Sequence, residues 1–259
     1  MTYKNQNPPR YSSTLSVAPL GGEYATISSA LINSDPSLDT VVVWPGKYTE
    51  DLTLAANQQL SAPLATVDGE HTFAQNCEVA IGFAIAGPGE TMVSASGAVQ
   101  SHYRGSQVTL TGTAIGFDVA GGAALLIDLE ELSVGEGGFG VGPSGGLPGY
   151  VNLTTPYADL TGPSSTLAVT AGTGIFRANI AHVENTGNAG TILNCAAGAM
   201  TGTGSFWKAQ TIIAVGAGAT GTLGIGIATG NVTVADTGVL NYRGSVLIGD
   251  VACAGTFRA

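Results

Sequence analysis

The stretch from residue 21 to residue 60 constrains the fold most, because it carries an ordered succession of structural signals. Ile27 and Leu31 stand at helical spacing and predict a short amphipathic helix. The helix is expected to end before Pro36, because proline disfavours a helical conformation in the residue that precedes it. Residues 40–44 then form a β-branched run without polar alternation, which predicts a strand buried on both faces.

A second strand pattern follows the turn predicted at Pro45-Gly46. Leu52 and Leu54 alternate with Asp51 and Thr53, and successive side chains of a strand point to opposite faces. We therefore expect both leucines to point into a core.

The succession resembles the beginning of the right-handed parallel β-helix of the pectin-lyase-like superfamily. There, a glycine-led "ATIxxAL" helix covers the end of the solenoid, a "VVVxPGxYxE" segment makes the first coils, and "LTL" continues them. The matching residues here are Tyr24 to Leu31, Val41 to Val43, Pro45-Gly46, Tyr48, Glu50 and Leu52 to Leu54. The resemblance implies an all-β solenoid with a short N-terminal capping helix. The superfamily includes carbohydrate-active enzymes, surface adhesins, viral tail spikes and other virion components.

The composition favours one large β domain. Glycine occupies 39 of 259 positions and only 10% of residues are charged, which suits many short strands joined by tight turns. Residues 1–20 are predicted to be an extended arm, either a disordered tail or an arm docked on a neighbouring subunit. Residues 21–259 are then the β-helix domain, with a glycine-rich loop or joint at 135–149.

The rest of the chain reads as short strands without a strict repeat. About nine stacked rungs, at ~4.8 Å each, predict a solenoid roughly 40 Å long. A β-sandwich or jelly roll in the second half stays open as an alternative, because antiparallel strands show the same alternation. The tetrapeptide Tyr-Arg-Gly-Ser occurs at 103–106 and at 242–245, either as a duplicated turn or by coincidence.

Charge and hydropathy exclude some classes of function. A net charge of −10 with scattered basic residues argues against nucleic acid as the principal partner, because that affinity comes from clustered cations. The uncharged stretch 209–235 is too rich in glycine and polar residues for a transmembrane helix. Residues 1–10 lack the apolar core of a secretory signal.

Cys77, Cys195 and Cys253 are expected to be buried free thiols.

Several motif matches lack the structural context that their chemistry needs. The G-x-G-x-x-G pattern begins at Gly135, Gly140 and Gly216, but none of these opens a helix after a strand, as dinucleotide binding requires. Residues 142–146 match G-x-S-x-G, yet both flanks read as loop. We therefore predict no cofactor and no nucleophilic serine. The sequons at Asn152 and Asn231 need a secretory route that the sequence does not show.

The acidic cluster of Asp128, Glu130 and Glu131 is the one charged group inside an apolar run. On a strand, Asp128 and Glu130 share a face, so they could act as an acid and base pair or hold Ca²⁺. The favoured interpretation is a solvated outer face of a sheet. The three histidines, His71, His102 and His182, stand alone without metal-ligand spacing, and no metal site is predicted.

The resemblance does not carry over to catalysis. Pectin esterases, polygalacturonases and pectate lyases use paired aspartates, N-T-D and R-I-K-type motifs or calcium-binding aspartates, and this chain has no Asp-Asp pair, N-T-D or R-I-K. No catalytic residue is predicted, although tail-spike hydrolases assemble their carboxylates from distant coils.

Two classes of function follow. The first is a non-enzymatic structural virion protein of a tailed bacteriophage: a homotrimeric capsid-decoration (cement) protein or short spike. It would be made in the host cytoplasm and contact the major capsid or tail protein of the particle. The second is a carbohydrate-active or carbohydrate-binding β-helix, such as a polysaccharide lyase, hydrolase or adhesin, with host-surface polysaccharide as its ligand. The acidic charge and the scarcity of aromatic residues favour the first class.

Overall fold

The structure is a computed structural model and describes residues 13–96, 100–120, 122–141, 150–161, 164–170, 175–184, 191–206, 211–244 and 246–259. Its elements up to the middle of the chain are β1 (Thr14–Val17), α1 (Ile27–Asn33), β2 (Thr40–Val43), β3 (Gly46–Thr49), β4 (Leu52–Leu54), β5 (Gln59–Asp68), β6 (His71–Phe73), β7 (Glu78–Ala86), β8 (Thr91–Ala95), β9 (Gln100–Leu110), β10 (Ile115–Val119), β11 (Ala124–Val134) and β12 (Phe139–Val141). The remaining elements are β13 (Tyr150–Leu160), β14 (Thr166–Thr170), β15 (Ile175–Glu184), β16 (Thr191–Cys195), β17 (Ala199–Phe206), β18 (Thr211–Val215), β19 (Thr220–Thr229), β20 (Asn231–Val234), β21 (Val239–Tyr242), β22 (Val246–Ile248), β23 (Val251–Cys253) and β24 (Thr256–Arg258).

These strands form two long sheets. Sheet A has 14 strands, ordered β1, β2, the odd strands from β5 to β21, and β24, with β3 and β22 paired beside β5 and β19. Sheet B has 10 strands, ordered through the even strands from β4 to β20 and ending at β23. From β5 to β21 the chain alternates between the sheets, and each strand pairs with the next strand of its own sheet. We call one sheet A strand together with the following sheet B strand a coil.

All the strand pairs that the described residues form are parallel. The alternative left open for the second half, a β-sandwich or jelly roll, is therefore wrong, because both need antiparallel pairing. The all-β architecture is compatible with a parallel β-helix. The main path of sheet A counts 12 strands rather than nine rungs, which at ~4.8 Å per step gives a stack about 50 Å long.

The core lies between the two sheets. One inward row of sheet A runs through paired residues of successive strands, and all of them are buried. Its members are Leu15, Val41, Leu60, Val79, Tyr103, Ile127, Leu153, Ala178, Gly202, Leu223 and Tyr242. The Tyr103 ring meets two rings of sheet B, Phe117 at 5.3 Å between centroids and Phe73 at 6.4 Å. Apolar burial along this row is the main source of stability that the fold offers.

The repeated tetrapeptide marks equivalent places in this core. Tyr103 and Tyr242 both belong to the inward row, so the two copies begin at the same register position of sheet A. The first copy lies inside β9 rather than in a turn, so the interpretation as a duplicated turn is wrong for residues 103–106.

The opening segment alternates instead of being buried throughout. Val41 and Val43 are buried, while Thr40 and Val42 are half-buried because their side chains point outward. The prediction of a strand buried on both faces is therefore wrong, since the outer face of sheet A is not covered at β2. Leu52 and Leu54 are buried and Thr53 is exposed, as the alternation predicted.

Helix α1 packs against β1, β2 and β4. It buries Ile27 and Leu31, and its N-cap residue Thr26 accepts a hydrogen bond from the Ser29 amide. The Glu50 carboxylate accepts hydrogen bonds from the amides of Ile27 and Ser28 at 2.9 Å, which ties the helix to the chain that leads into β4. Burial and these two bonds fix the helix at the N-terminal strands.

Two predicted segments turn out to include strands. The end of the predicted arm is β1, which pairs with β2 and so places the start of sheet A earlier than residue 21, while residues 1–12 lie outside the described residues. In the glycine-rich segment 135–149, predicted as a loop or joint, residues 139–141 form β12, which pairs with β10 and β14, and residues 142–149 lie outside the described residues.

The coils shorten toward the carboxyl end of the chain. Paired residues of β11 and β13, such as Ala124 and Tyr150, are 26 positions apart. The separation falls to 19 between β19 and β21, and to 17 between Val239 of β21 and Thr256 of β24. The pairing register absorbs this change without losing the inward row.

Candidate functional site

A polar network lies on the outer face of sheet A, where β7, β9 and β11 run side by side. Strand pairing sets Arg104 beside Asp128 and Glu78 beside His102. The Nε2 atom of His102 lies 2.7 Å from Oδ2 of Asp128, and its Nδ1 atom lies 2.9 Å from a guanidinium nitrogen of Arg104. Glu78 approaches Arg104 at 3.8 Å. We call these four residues the His102 network.

The donors around His102 determine its tautomer. A guanidinium only donates hydrogen bonds, so Nδ1 must accept the bond from Arg104. The ring proton of the neutral imidazole is then on Nε2, which donates to Asp128. Both ring nitrogens therefore take part in hydrogen bonds. The side chain of His102 is only 14% exposed. This arrangement holds the imidazole rather than leaving a nitrogen free to take a proton from a substrate.

The acidic cluster lies where the buried positions of β11 change phase, from Ile127 and Leu129 to Leu132 and Val134, and we take this change as a bend of the strand. Asp128 and Glu130 are exposed and Glu131 is half-buried, with Leu129 buried between the first two. The favoured prediction, a solvated outer face, describes these positions, and Asp128 in addition accepts the bond from His102. Strand β9 follows the same bend. Its residues Arg104 and Gln107 pair with Asp128 and Glu131 of β11 on the two sides of the bend.

A groove of about 330 Å³ follows this bend across β5, β7, β9 and β11. Buried Ile81 and Leu129 form its base together with the backbone at Gly82 and Gly105. Its sides carry Ala80, Arg104 and Asp128 in one paired row, and Pro63, Ser106 and Glu130 further along the strands. The volume lies at the lower end of the ~300–1,000 Å³ typical of ligand pockets.

An irregularity of β5 builds one wall of the groove. Ala62 and Thr66 pair with Ile81 and Phe83, so β5 has two more residues than β7 at this point. The extra residues fold over Gly82, where a Cβ atom would lie 2.2 Å from the Pro63 carbonyl oxygen. Glycine is needed here because of that close approach.

A smaller depression of about 160 Å³ continues from the groove toward the N-terminal strands. It shares Ala80 and Arg104 with the groove, and its far end is formed by Thr40 and Gln59. Glu78 lines it as well. The two hollows therefore form one path along the outer face of sheet A, from β2 to β11.

The other histidines do not join the network. His71 points into the core, is 1% exposed, and neither ring nitrogen has a hydrogen-bond partner in the described part of the chain. Burial lowers the pKa of His71 to about 4, against a smaller opposing effect of Asp51. The ring of His182 stacks on Tyr157 at 5.8 Å. Across the described ranges, no group of three or more His, Cys, Asp or Glu residues is placed to hold a metal ion.

The thiols divide into two kinds. Cys77 and Cys195 are buried thiols that form no disulfide, as predicted, and burial raises the pKa of Cys77 to about 11. Cys253 is exposed, so the prediction of a buried thiol is wrong there, because β23 is the last strand of sheet B and is not covered.

Of the glycines that begin the G-x-G-x-x-G matches, Gly135 and Gly216 lie in turns and Gly140 lies in β12. Gly135 and Gly216 follow β11 and β18, and strands come after both turns instead of the helix that a dinucleotide would need. The G-x-S-x-G match at 142–146 lies outside the described residues.

Within the part of the chain that the structure covers, no helix reaches the length and apolarity needed to cross a membrane.

The His102 network was missed at the sequence level because its members are far apart in the chain. Arg104 and Asp128 are 24 positions apart, which is one coil in this part of the stack. A search for charged residues at that spacing would have paired them.

Comparison of the chain with protein-family models, with curated proteins and with solved structures finds no match.

Proposed function

We propose that this protein is a non-enzymatic structural component of a virion, a homotrimeric capsid-decoration protein or short spike of a bacteriophage. On this proposal, the parallel sheets are a right-handed β-helix of the pectin-lyase-like type, and α1 covers its N-terminal end. The function is then mechanical: a stack of coils that seats on the major capsid or tail protein and exposes its acidic surface to solvent.

The observation that supports this proposal most is the state of the His102 network. Both ring nitrogens of its histidine are hydrogen-bonded within the chain. A general base needs a free nitrogen or carboxylate aimed at a substrate. A locked, surface-exposed network on a stack of parallel strands suits a scaffold better than a catalytic centre.

Two measurements test the proposal. Native mass spectrometry is expected to give three times the 25.8 kDa chain mass. Electron microscopy of particles from a lysate of the producing strain, labelled with antibody against the chain, is expected to show regularly spaced label on the head or tail. A monomer, or particles free of label, would contradict the virion role.

The groove favours a second candidate, a carbohydrate-binding β-helix protein. It crosses four strands, as an extended oligosaccharide requires, and Asp128 and Glu130 can accept hydrogen bonds from sugar hydroxyls. Its lining, as described, contains no aromatic ring on which a sugar could stack. Binding to neutral or acidic oligosaccharides on an array, lost in Asp128→Asn together with Glu130→Gln, would establish this function instead.

A further inference from the structure

The path along the outer face of sheet A starts beside the first described residues. The Thr40 amide donates a hydrogen bond to the Ser13 carbonyl at 3.0 Å, and Thr40 also lines the near end of the smaller depression. Residues 1–12 precede Ser13 in the chain. Ser13, the first described residue, therefore lies at the mouth of the path.

The charges of the segment and the path are complementary. Lys4 and Arg10 are the only charged side chains among the first 22 residues, although the whole chain has a net charge of −10. The path offers three exposed carboxylates, Glu78, Asp128 and Glu130. Arg104 is the cation among its lining residues, and it is already engaged with His102 and Glu78.

The length of the segment matches the distance. Five strand steps separate β1 from β11, which at ~4.8 Å each is about 24 Å. Lys4 is nine residues from Ser13, and nine extended residues span about 30 Å. Arg10, three residues from Ser13, reaches about 10 Å, which brings it toward Glu78.

We propose that residues 1–12 dock along this path on their own chain, with the Lys4 ammonium between Asp128 and Glu130 and the Pro8-Pro9 pair on the apolar part of the hollows. A proline-rich stretch prefers an extended conformation, so docking costs it less conformational entropy than it costs most sequences. The inference does not depend on the virion role: it concerns contacts within one chain.

Zero-length carbodiimide cross-linking of the full-length protein tests this placement. The reagent joins a lysine amine to a carboxylate in contact with it, and the chain has only three lysines, which keeps the products few. We expect an amide between Lys4 and Asp128 or Glu130. Lys47 lies 3.1 Å from Asp68, so the link between those two is a built-in positive control.

Three variants sharpen the assignment. Glu130→Gln and the pair Asp128→Asn with Glu130→Gln remove the acceptors, while Glu136→Gln removes an exposed carboxylate outside the path. The same samples are digested briefly with trypsin, which cleaves after Arg10. In the double variant we expect the Lys4 link to disappear and cleavage after Arg10 to accelerate by about threefold, as loss of exposed ion pairs allows.

A mixture of ¹⁵N-labelled and unlabelled protein shows which chain supplies the groove. Lys4 links confined to one isotope support the proposal. Links that join labelled to unlabelled chains, links that persist in the double variant, or no Lys4 link while the link between Lys47 and Asp68 forms would each overturn it. An unchanged link between Lys47 and Asp68 in every variant shows that each one is folded.

Discussion

His102 and Asp128 are 26 positions apart in the chain, yet the imidazole Nε2 atom donates a hydrogen bond to the carboxylate over 2.7 Å. The bond joins neighbouring strands on the outer face of sheet A, and Arg104 holds the opposite side of the ring. We therefore expect the neutral His102 ring to carry its proton on Nε2. Long-range ¹H–¹⁵N correlation spectra report the tautomer directly, and Arg104→Leu should weaken the preference. A spectrum with the proton on Nδ1 would contradict the geometry.

Stability should fall in mildly acidic solution because of His71. Its pKa is about 4 in the folded chain and 6.5 as a reference, so between these values the unfolded chain takes up a proton that the folded chain refuses. The contribution of the uncharged His71 ring to stability is fully present above pH 6.5, and it is lost progressively as the pH falls to about 4. Between pH 7 and pH 5 the loss from this residue is expected to be ~2 kcal/mol in the free energy of unfolding.

The His71→Leu variant isolates that effect. Leucine keeps an apolar side chain of similar size in the core and removes two ring nitrogens that have no partner in the described part of the chain. Denaturant titrations at pH 7 and pH 5 should show a smaller pH-dependent loss in the variant than in the unmodified protein. An identical loss in both proteins would show that other groups are responsible.

Replacing Gly82 by alanine should be costly, because the new Cβ atom would lie 2.2 Å from the Pro63 carbonyl oxygen. Backbone must move to relieve this clash, and we expect a loss of about 1–3 kcal/mol, the range for overpacked sites. Gly224→Ala is the matched control, since its Cβ atom would meet only the Thr203 methyl group at 3.5 Å. Denaturation midpoints of both variants check the difference. Equal effects of the two substitutions would mean that the backbone at Pro63 can move away from the new Cβ atom at little cost in stability.

Two buried tyrosines should respond differently to removal of their hydroxyl groups. The Tyr103 hydroxyl has no hydrogen-bond partner among the described residues, so Tyr103→Phe should be neutral or slightly stabilising. The Tyr48 hydroxyl donates to the Trp44 carbonyl at 3.1 Å, and Tyr48→Phe should cost about 1 kcal/mol. Thermal unfolding of the two variants side by side measures the contrast, and a larger loss at Tyr103 would reverse the interpretation.

The sequence predicted the core positions of the opening coil because alternation is a local signal. Leu52 and Leu54 are buried as their period of two requires, whereas Val42 is half-buried because an apolar run does not reveal whether a second layer covers the sheet. Several sheet B strands, such as Thr91–Ala95 and Thr211–Val215, bury two consecutive residues, which an alternation rule misses.

The candidate site was beyond local pattern reasoning. Asp128 and Glu130 could be named from the sequence, but their partners depend on how many residues each coil contains. That number varies from 26 to 17 along the stack, so the sequence shows no constant repeat from which the 24-residue separation of Arg104 and Asp128 could be deduced in advance. Only the strand register, set by the packed inward row, brings them together.

The shortening of successive coils lies in the connections rather than in the strands of sheet A. Strand β13 has 11 residues and β19 has 10, but residues 161–165 separate β13 from β14, whereas Gly230 alone separates β19 from β20. A residue inserted at Gly230 would therefore have to be absorbed by the strands themselves. Tolerance to insertions is expected to decrease from the middle of the stack toward its carboxyl end.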